Sequence, residues 1–244
     1  MKWQDRGIIL SQRSCSESQI ILSVLTEIHG RHSGIIRVGK AERQSALFQP
    51  GNLVEVTWSA RLSEHLGRWS SEVTFMPWIH LTHHPQPLLT LSVICALLDT
   101  CLPERHPYGE LYQRLKILLN QLIDNNDWPR HYALFELNLL SSLGFGLDLS
   151  ECAVTKKTGN LAYVSPKTGR AVCENVGRPY AERLFILPKF LMDEGVQPTP
   201  KDIYLALNMT GYFLSQFVLE GKKLPEIRQR LLSSFCDLKI LECA

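Results

Sequence analysis

The chain has 244 residues, a formal net charge of +2 and an apolar share of 45%, which are typical of a globular protein with a hydrophobic core. Its apolar runs are too short to span a membrane, and residues 1–30 lack the pattern of a secretory signal, so we expect a cytoplasmic protein. Seven scattered cysteines in a chain of this length argue against a secreted disulfide framework and favour free thiols.

The first 80 residues predict a small antiparallel barrel of five short strands. Its apolar runs are residues 7–10, 20–25, 34–38, 53–59 and 73–79, and glycine or proline turn signals separate them. The clearest run is the fourth, in which Val54, Val56 and Trp58 alternate with polar residues, as in a half-buried strand. An OB-like barrel and an SH3-like barrel both fit this pattern, so it does not decide the topology.

The remainder of the chain predicts a helical body. Two prolines, Pro85 and Pro87, mark a domain boundary, which gives a barrel domain over residues 1–82 and a helical domain over residues 83–244. Turn dipeptides and one short apolar piece between residues 150 and 178 predict a small hairpin insert. The predicted helices are residues 88–101, 108–124, 128–143, 180–192, 201–219 and 225–238.

Positive charge lies in two separated blocks. Residues 1–80 have two more basic than acidic side chains and residues 150–190 have four more, whereas the segments that follow each block are acidic. A basic strand edge in the first block can neutralise phosphates and release counterions, although such an edge can also merely keep a sheet soluble and unpaired. The candidate phosphate contacts in the first block are Arg31, Arg37, Lys40 and Arg43, with Arg6 and Arg13 as further candidates.

The second basic block lies in the predicted hairpin insert. Lys156, Lys157, Lys167 and Arg170 fall within fifteen residues that contain no acid. An ordinary solvated hairpin tip would explain them. We favour a second contact with nucleic acid, because a neutral surface would have acidic residues interspersed among the basic ones, and this run has none.

Aromatic and histidine side chains in the barrel have less specific signals. OB-folds often stack bases on aromatic rings, and Phe48 and Trp69 lie near loops, but core packing is the favoured interpretation for both and for Trp58. We interpret His29 and His32 as surface histidines. The sequence shows no paired carboxylates, nucleophile elbow or glycine-rich phosphate loop, so we assign no catalytic residue.

Several stretches recur together in one known family. They are GIILS at residues 7–11 with residues 18–30, LFQPGNLVEVTWSARLSEHL at 47–66, LFELNLLSSLGFG at 134–146, and GYFLSQFV at 211–218. In their order and spacing these stretches resemble the bacterial RecO family of DNA repair proteins. The resemblance implies an α+β chain with an N-terminal five-stranded OB-fold, a helical body and a small zinc-ribbon-like hairpin insert.

The resemblance also implies a function without catalysis. A RecO-like protein is a mediator of recombinational repair in the RecF-type pathway: it binds single- and double-stranded DNA near the nucleoid, anneals strands coated by single-stranded DNA-binding protein, and assists RecR and RecA. The resemblance places the acidic, aromatic tail of single-stranded DNA-binding protein on the helical body. We assign that tail to the seam between residues 108–124 and 131–143, where the candidate cations are Arg114, Lys116 and Arg130.

The insert departs from the family pattern. Many relatives carry two CxxC pairs there as structural zinc ligands, whereas this chain pairs Cys152 with Thr155 and Cys173 with Val176. Two cysteines do not complete a zinc site, so we expect no bound metal and no cofactor. Two alternatives stay open: a thiol- or metal-dependent enzyme of nucleic-acid metabolism that uses these cysteines, and an adaptor that binds only protein.

Overall fold

The computed structural model describes residues 1–38, 47–62, 65–124 and 127–241, with side chains described through residue 236. The chain forms two compact units, Met1–Asn126 and Asp127–Ala244. The first contains the predicted barrel residues 1–82 and the helices that follow them. The domain boundary after residue 82 stays a prediction.

Five strands of the first unit close into a barrel in the order β1-β2-β3-β5-β4. Neighbouring strands are antiparallel except β3 and β5, which pair in parallel. This closed order is that of the OB-fold, so the OB prediction is confirmed. The strands are β1 Lys2–Ser16, β2 Gln19–Thr26, β3 Gly30–Arg37, β4 Leu53–Ser59 and β5 Gly67–Phe75.

Two strands differ from their predicted bounds because distant pairing extends them. The first half of β1 pairs with β4 and its second half pairs with β2, so polar flanks that show no apolar alternation are still strand. Strand β5 begins at Gly67 and pairs Trp69 with Trp58 of β4. The strand predicted at 73–79 ends at Phe75, because Pro77 begins a short helix and cannot continue the strand pairing.

The barrel core is built around two tryptophans. Trp58 and Trp69 are 2% and 5% exposed, and their indole N–H groups donate to the carbonyls of Ser33 and Leu22 at 3.3 Å. Phe48 is also buried, which confirms that these three rings belong to the core. The other buried members of the cluster are Ile9, Leu22, Val24, Ile36, Val54 and Val56.

The described residues of the first unit also form three α-helices: α1 Pro77–Leu81, α2 Pro85–Cys101 and α3 Gly109–Asp124. Helix α2 packs on β1, and eight of its residues are buried, as its almost wholly apolar sequence predicts. Helix α3 buries its leucines at the predicted 3–4-residue spacing and exposes the opposite face.

The second unit is a helical body with a small sheet. Thr199 caps α6 through a capping box with Asp202, as predicted from the Thr-Pro start. The insert forms a three-stranded sheet in the order β7-β6-β8. The elements are α4 Trp128–Ser142, β6 Leu161–Val164, β7 Ala171–Cys173, α5 Glu174–Gly177, β8 Phe185–Ile186, α6 Pro200–Phe213 and α7 Glu226–Leu241, with a π-helical turn at Leu214–Val218.

The predicted helix over residues 180–192 is wrong. The segment is a 3-10 turn at Arg178–Arg183, strand β8 and a second 3-10 turn at Lys189–Leu191. Pro188 lies inside it and cannot donate a helical hydrogen bond, and Phe185 and Ile186 pair instead with β6. The predicted hairpin is therefore present with a third strand that the sequence pattern did not reveal.

Candidate nucleic-acid interface

Strands β3 and β5 bring two arginines to the rim of one cavity. Alternate residues of β3 are buried, so Ile35 and Arg37 lie on its outer face. The two parallel strands pair only at Gly34 with Gly67 and at Ile35 with Arg68. A cavity of about 650 Å³ lies at this junction and is lined by both Arg37 and Arg68.

A second cavity, of about 440 Å³, lies at the turn between β4 and β5. Arg61, His65, Leu66 and Arg68 line it, so Arg68 borders both cavities. We call Arg37, Arg68 and Arg61 the arginine strip. All three side chains are exposed, and none forms an ion pair with another residue that the structure describes.

Of the predicted first-block residues, only Arg37 belongs to the arginine strip. Arg61 and Arg68 were missed because they are isolated in the sequence and meet Arg37 only through the parallel pairing of β3 with β5. The available signal was their position on either side of the β4–β5 turn, which is a ligand-binding loop in OB-folds. Lys40 and Arg43 lie outside the described residues.

Arg31 is engaged within the first unit. Its Nε donates to the carbonyl of Leu102 at 2.8 Å, and its Nη1 lies 3.3 Å from Asp99 and 3.5 Å from Glu104. The side chain is only 16% exposed. Arg31 therefore joins β3 to the segment after α2, and two carboxylates balance its charge, which leaves it little capacity for a phosphate.

Arg6 lies on a different, acidic side of the barrel. It is 3.9 Å from Glu55, and both side chains are exposed to solvent. A cavity of about 690 Å³ there is lined by Arg6 and by four acids, Asp5, Glu27, Glu55 and Glu72. Arg13 is exposed on β1 and makes no ion pair with another described residue. Arg6 thus lies among acidic side chains, whereas neither of the two cavities at the arginine strip is lined by a described acid.

The interpretation as a surface residue is wrong for His32, whereas His29 is partly exposed, with 32% of its side chain accessible. His29 stacks on Trp3 with ring centroids 3.9 Å apart, and its Nδ1 lies 2.9 Å from a carboxylate oxygen of Asp5. His32 is 7% exposed and packs edge-on against Trp3 and Trp58. The burial of His32 follows from the alternation of β3, because residue 32 lies on the same inward face as residues 34 and 36.

Burial of this cluster makes the stability of the barrel depend on pH. Burial lowers the pKa of His32 below its ordinary value of 6.5, so the fold holds the neutral ring. Burial raises the pKa of Asp5, but hydrogen bonds from His29 and from nearby backbone N–H groups outweigh it and leave the pKa below its usual value. Because both pKa values are lower in the folded chain, the unfolded chain binds more protons than the folded chain as the pH falls. The free energy of unfolding therefore decreases.

We therefore expect the barrel to lose stability as the pH falls below 6.5 through the lowered pKa of His32. The urea midpoint of unfolding, followed by tryptophan fluorescence at pH 7.5 and pH 5.5, measures this loss. His32→Phe should reduce the difference between the two midpoints, because phenylalanine cannot be protonated. An equal difference in both proteins would contradict the assignment to His32.

Two acids neutralise part of the basic block in the insert. Lys156 is 2.7 Å from Glu151, and Arg170 is 3.1 Å from both Asp148 and Glu151. These acids precede the run in sequence and fold back onto it. Lys157 and Lys167 are exposed and make no ion pair with a described residue, so they are the cations of this block that remain available.

The family models give the decisive comparison. A model described as "Recombination protein O N terminal" matches residues 1–76, and one described as "Recombination protein O C terminal" matches residues 85–225. The chain belongs to the RecO family. DNA repair protein RecO of Methylocella silvestris is 42% identical over 239 residues, which is 96% of each chain. RecO of Bartonella quintana is 42% identical over 238 residues, and RecO of Rhodospirillum rubrum is 42% identical over 240 residues, with at least 95% of each chain covered.

RecO family membership places the chain among DNA repair proteins, and its barrel has the OB topology that the N-terminal region of the family predicts. No helix within the described part of the chain is long and apolar enough to cross a membrane. The chain aligns over nearly the full length of these RecO relatives, so the barrel and the helical body are both part of the match.

The cysteines of the RecO insert do not fit a zinc site. Cys152 and Cys173 are buried free thiols, and the N–H of Cys173 donates to the Cys152 sulfur at 3.3 Å. The Thr155 hydroxyl lies 3.7 Å from the Cys173 sulfur, and a hydroxyl there does not replace a thiolate ligand. The described residues contain no group of three or more His, Cys, Asp or Glu side chains that could hold a metal.

The Cys152 thiol is nevertheless held in a polar environment. Burial raises the pKa of Cys152, but hydrogen bonds from the Thr155 hydroxyl and from three backbone N–H groups outweigh it and lower the pKa to about 6. Donors aimed at the sulfur favour the thiolate in the same way as they favour a metal-bound thiolate. The described part of the insert thus surrounds one thiol with hydrogen-bond donors but lacks the ligand number that zinc requires.

The predicted partner-binding residues lie in both units. Arg114 pairs with Glu110 on α3 at 2.7 Å, and Lys116 is partly exposed on the same helix. Arg130 of α4 is 8% exposed, donates from Nη1 to the carbonyl of Glu194 at 2.8 Å and also donates to the carbonyl of Val196. Arg130 therefore stabilises the loop that contains Glu194 and Val196, within its own unit. The partner groove stays a prediction.

Proposed function

We propose that the chain is a DNA-binding mediator of recombinational repair that catalyses no reaction. In this proposal it binds single- and double-stranded DNA at the nucleoid, anneals strands coated by single-stranded DNA-binding protein, and assists RecR and RecA. Membership of the RecO family supports the assignment to DNA repair. The proposed activity requires basic side chains that hold DNA strands in place, and it requires no covalent chemistry.

The observation that carries the proposal is the arginine strip on an OB barrel. Exposed arginines without carboxylate partners can form charge-assisted hydrogen bonds with phosphate oxygens. Arg37, Arg61 and Arg68 meet this condition with respect to the described residues, as does Arg13 on β1, whereas Arg31 and Arg6 have acidic neighbours. Lys40 and Arg43 remain part of the proposal as predicted from the sequence.

The insert supplies a second basic surface in the other unit. Lys157 and Lys167 are its exposed cations, and Lys156 and Arg170 are partly neutralised by acids. Annealing requires two strands to be held by one protein or by one assembly. We assign the first strand to the barrel and the second to the insert.

Strand annealing tests this proposal. We expect the chain to accelerate the pairing of two complementary oligonucleotides that carry single-stranded DNA-binding protein, measured by fluorescence energy transfer between end labels. Lys157→Ala/Lys167→Ala should slow annealing while the affinity for one strand changes little, because the barrel still binds it. A chain that binds single strands but does not accelerate pairing would contradict the annealing function.

The lowered pKa of Cys152 is the one observation that favours the alternative of a thiol-dependent enzyme. The thiol is fully buried, however, and a nucleophile needs access to its substrate. Cys152→Ser separates the two functions: annealing persists in the variant if the chain is a mediator and is lost, with the fold intact, if the thiol is catalytic.

A further inference from the structure

We propose that Cys152 and Cys173 form an oxidation site, in which a hydroperoxide converts the two thiols into a reversible disulfide within the insert. Both cysteines are buried and carry free thiols in the structure. A disulfide between them closes the segment 153–172, which carries Lys157 and Lys167, the available cations of the insert. The oxidation site does not depend on the proposed function.

Backbone hydrogen bonds hold the two cysteines side by side. Ala153 donates its N–H to the carbonyl of Ala171 at 2.8 Å, so the turn that begins at Cys152 runs alongside β7. The N–H of Cys173 donates to the Cys152 sulfur at 3.3 Å. Adjacent hydrogen-bonded backbones lie about 4.5–5.5 Å apart, which is within the range of about 4.4–6.8 Å over which a disulfide joins two Cα atoms.

One hydroxyl group contacts both sulfurs. The Thr155 Oγ1 atom lies 3.7 Å from the Cys173 sulfur, and the same hydroxyl forms a hydrogen bond with the Cys152 sulfur. Because a hydroxyl both donates and accepts, it can donate to a Cys152 thiolate while it accepts the S–H of Cys173. Two sulfurs that share one neighbouring atom can reach bonding distance by rotation about their Cα–Cβ bonds.

The same contacts identify Cys152 as the thiol that reacts first. Burial raises the pKa of Cys152, but hydrogen bonds from Thr155 and from backbone N–H groups outweigh it and lower the pKa to about 6. The thiolate is the form of cysteine that attacks a peroxide. Cys95 in helix α2 is the contrast, because burial among apolar residues raises its pKa to about 12 and keeps it a thiol.

The Cys152 sulfur lies beneath a short turn at the surface. Residues 154–160 are exposed, although Cys152 itself is not. The turn is closed by two backbone hydrogen bonds, from the N–H of Cys152 to the Lys157 carbonyl at 2.8 Å and from the N–H of Lys156 to the Cys152 carbonyl at 3.0 Å. Local opening of these two bonds admits a molecule as small as a hydroperoxide, whereas a nucleic-acid substrate needs far more room.

The reaction consumes one hydroperoxide and forms one disulfide. The Cys152 thiolate attacks the peroxide, so that a sulfur–oxygen bond forms, the oxygen–oxygen bond breaks, and the leaving oxygen takes up the proton that Cys152 had released to solvent. The sulfur is now a sulfenic acid. Cys173 then loses its proton and attacks the Cys152 sulfur, so that the sulfur–sulfur bond forms and the sulfur–oxygen bond breaks. The leaving hydroxide takes that proton and departs as water, and two electrons have passed from the sulfurs to the peroxide.

Peptide mapping after oxidation tests the site. The native chain is treated with hydrogen peroxide, its remaining thiols are alkylated, and it is unfolded and digested with trypsin without reductant. Cleavage after basic residues places Cys152 in peptide 131–156 and Cys173 in peptide 171–183, because Pro179 blocks cleavage after Arg178. We expect a disulfide to join these two peptides in most of the treated chain and dithiothreitol to separate them.

Single-cysteine variants distinguish the two thiols. Cys173→Ala should retain a sulfenic acid at Cys152, which dimedone traps, and should lose the joined peptide. Cys152→Ala should lose the joined peptide and leave Cys173 largely without dimedone. The control is Cys236→Ser, which removes an exposed thiol of the same unit and should form the disulfide to the same extent as the unmodified chain.

Oxidation of the unfolded chain shows whether the fold selects this pair. In urea the same treatment should join several different cysteine peptides, since no structure holds one pair together. A native chain whose other thiols oxidise while peptides 131–156 and 171–183 stay separate would overturn the site, as would a joined pair that forms only in urea. Neither result bears on strand annealing, so the proposed function stands or fails separately.

Discussion

Arg228→Met is expected to destabilise the second unit by about 3–5 kcal/mol, because it leaves the carboxylate of Glu136 buried without its counter-charge. Glu136 is fully buried and receives Nε of Arg228 at 2.8 Å and Nη2 at 2.6 Å. Tyr132 and Thr210 also donate to it. Burial lowers the pKa of Arg228, but the charge of Glu136 outweighs it and holds the pKa above its usual value, so the pair is ionic.

The free energy of unfolding in urea, followed by helical circular dichroism, measures this effect. Arg230→Met is the matched control, because Arg230 lies exposed on the same helix, and we expect a change of less than about 0.5 kcal/mol. Glu136→Gln/Arg228→Met should recover part of the loss, since it removes the buried charge as well. A loss below about 1 kcal/mol in Arg228→Met would show that the pair contributes little.

Gly67→Ala is expected to destabilise the first unit by about 2–3 kcal/mol through overpacking. A Cβ atom at this position would overlap the indole ring of Trp58, which is enclosed in the barrel core. Gly67 pairs across the parallel junction with Gly34, where a Cβ would lie 2.8 Å from the Trp69 ring nitrogen. The two glycines therefore let the two tryptophans fill the barrel beneath the β3–β5 junction.

Tryptophan fluorescence during urea unfolding reports this change directly. Gly109→Ala serves as the control, because the nearest neighbour of a Cβ there is the Glu27 carbonyl at an ordinary 3.5 Å. We expect that control to stay within about 0.5 kcal/mol of the unmodified chain. If the two alanine variants were equally stable, the close packing of Trp58 on Gly67 would not be a constraint on the fold.

Elements with a strong local pattern were predictable from the sequence. Strand β4 has the predicted bounds, because its alternation of buried and exposed residues is complete. Helices α2 and α3 begin and end within three residues of their predictions, and α6 begins at its predicted cap. In each case the signal lies within the segment itself.

Features that depend on distant residues were not predictable in the same way. The full length of β1 requires two partners, β2 and β4, and the third strand of the insert requires β6. The arginine strip unites Arg37 with Arg61 and Arg68, which are separated by a strand and a turn in the sequence. Likewise, the charge balance of the insert appears only when Asp148 and Glu151 are seen to fold onto it.

Binding of a labelled single-stranded oligonucleotide by the unmodified chain across a salt series tests the central claim most directly. The account predicts affinity that falls steeply with salt, with a slope of log K against log salt of at least about 2 in magnitude, as the three arginines of the strip require. A chain that showed no affinity even at low salt, or affinity that did not change with salt, would contradict DNA binding through the barrel and would favour an adaptor that binds only protein.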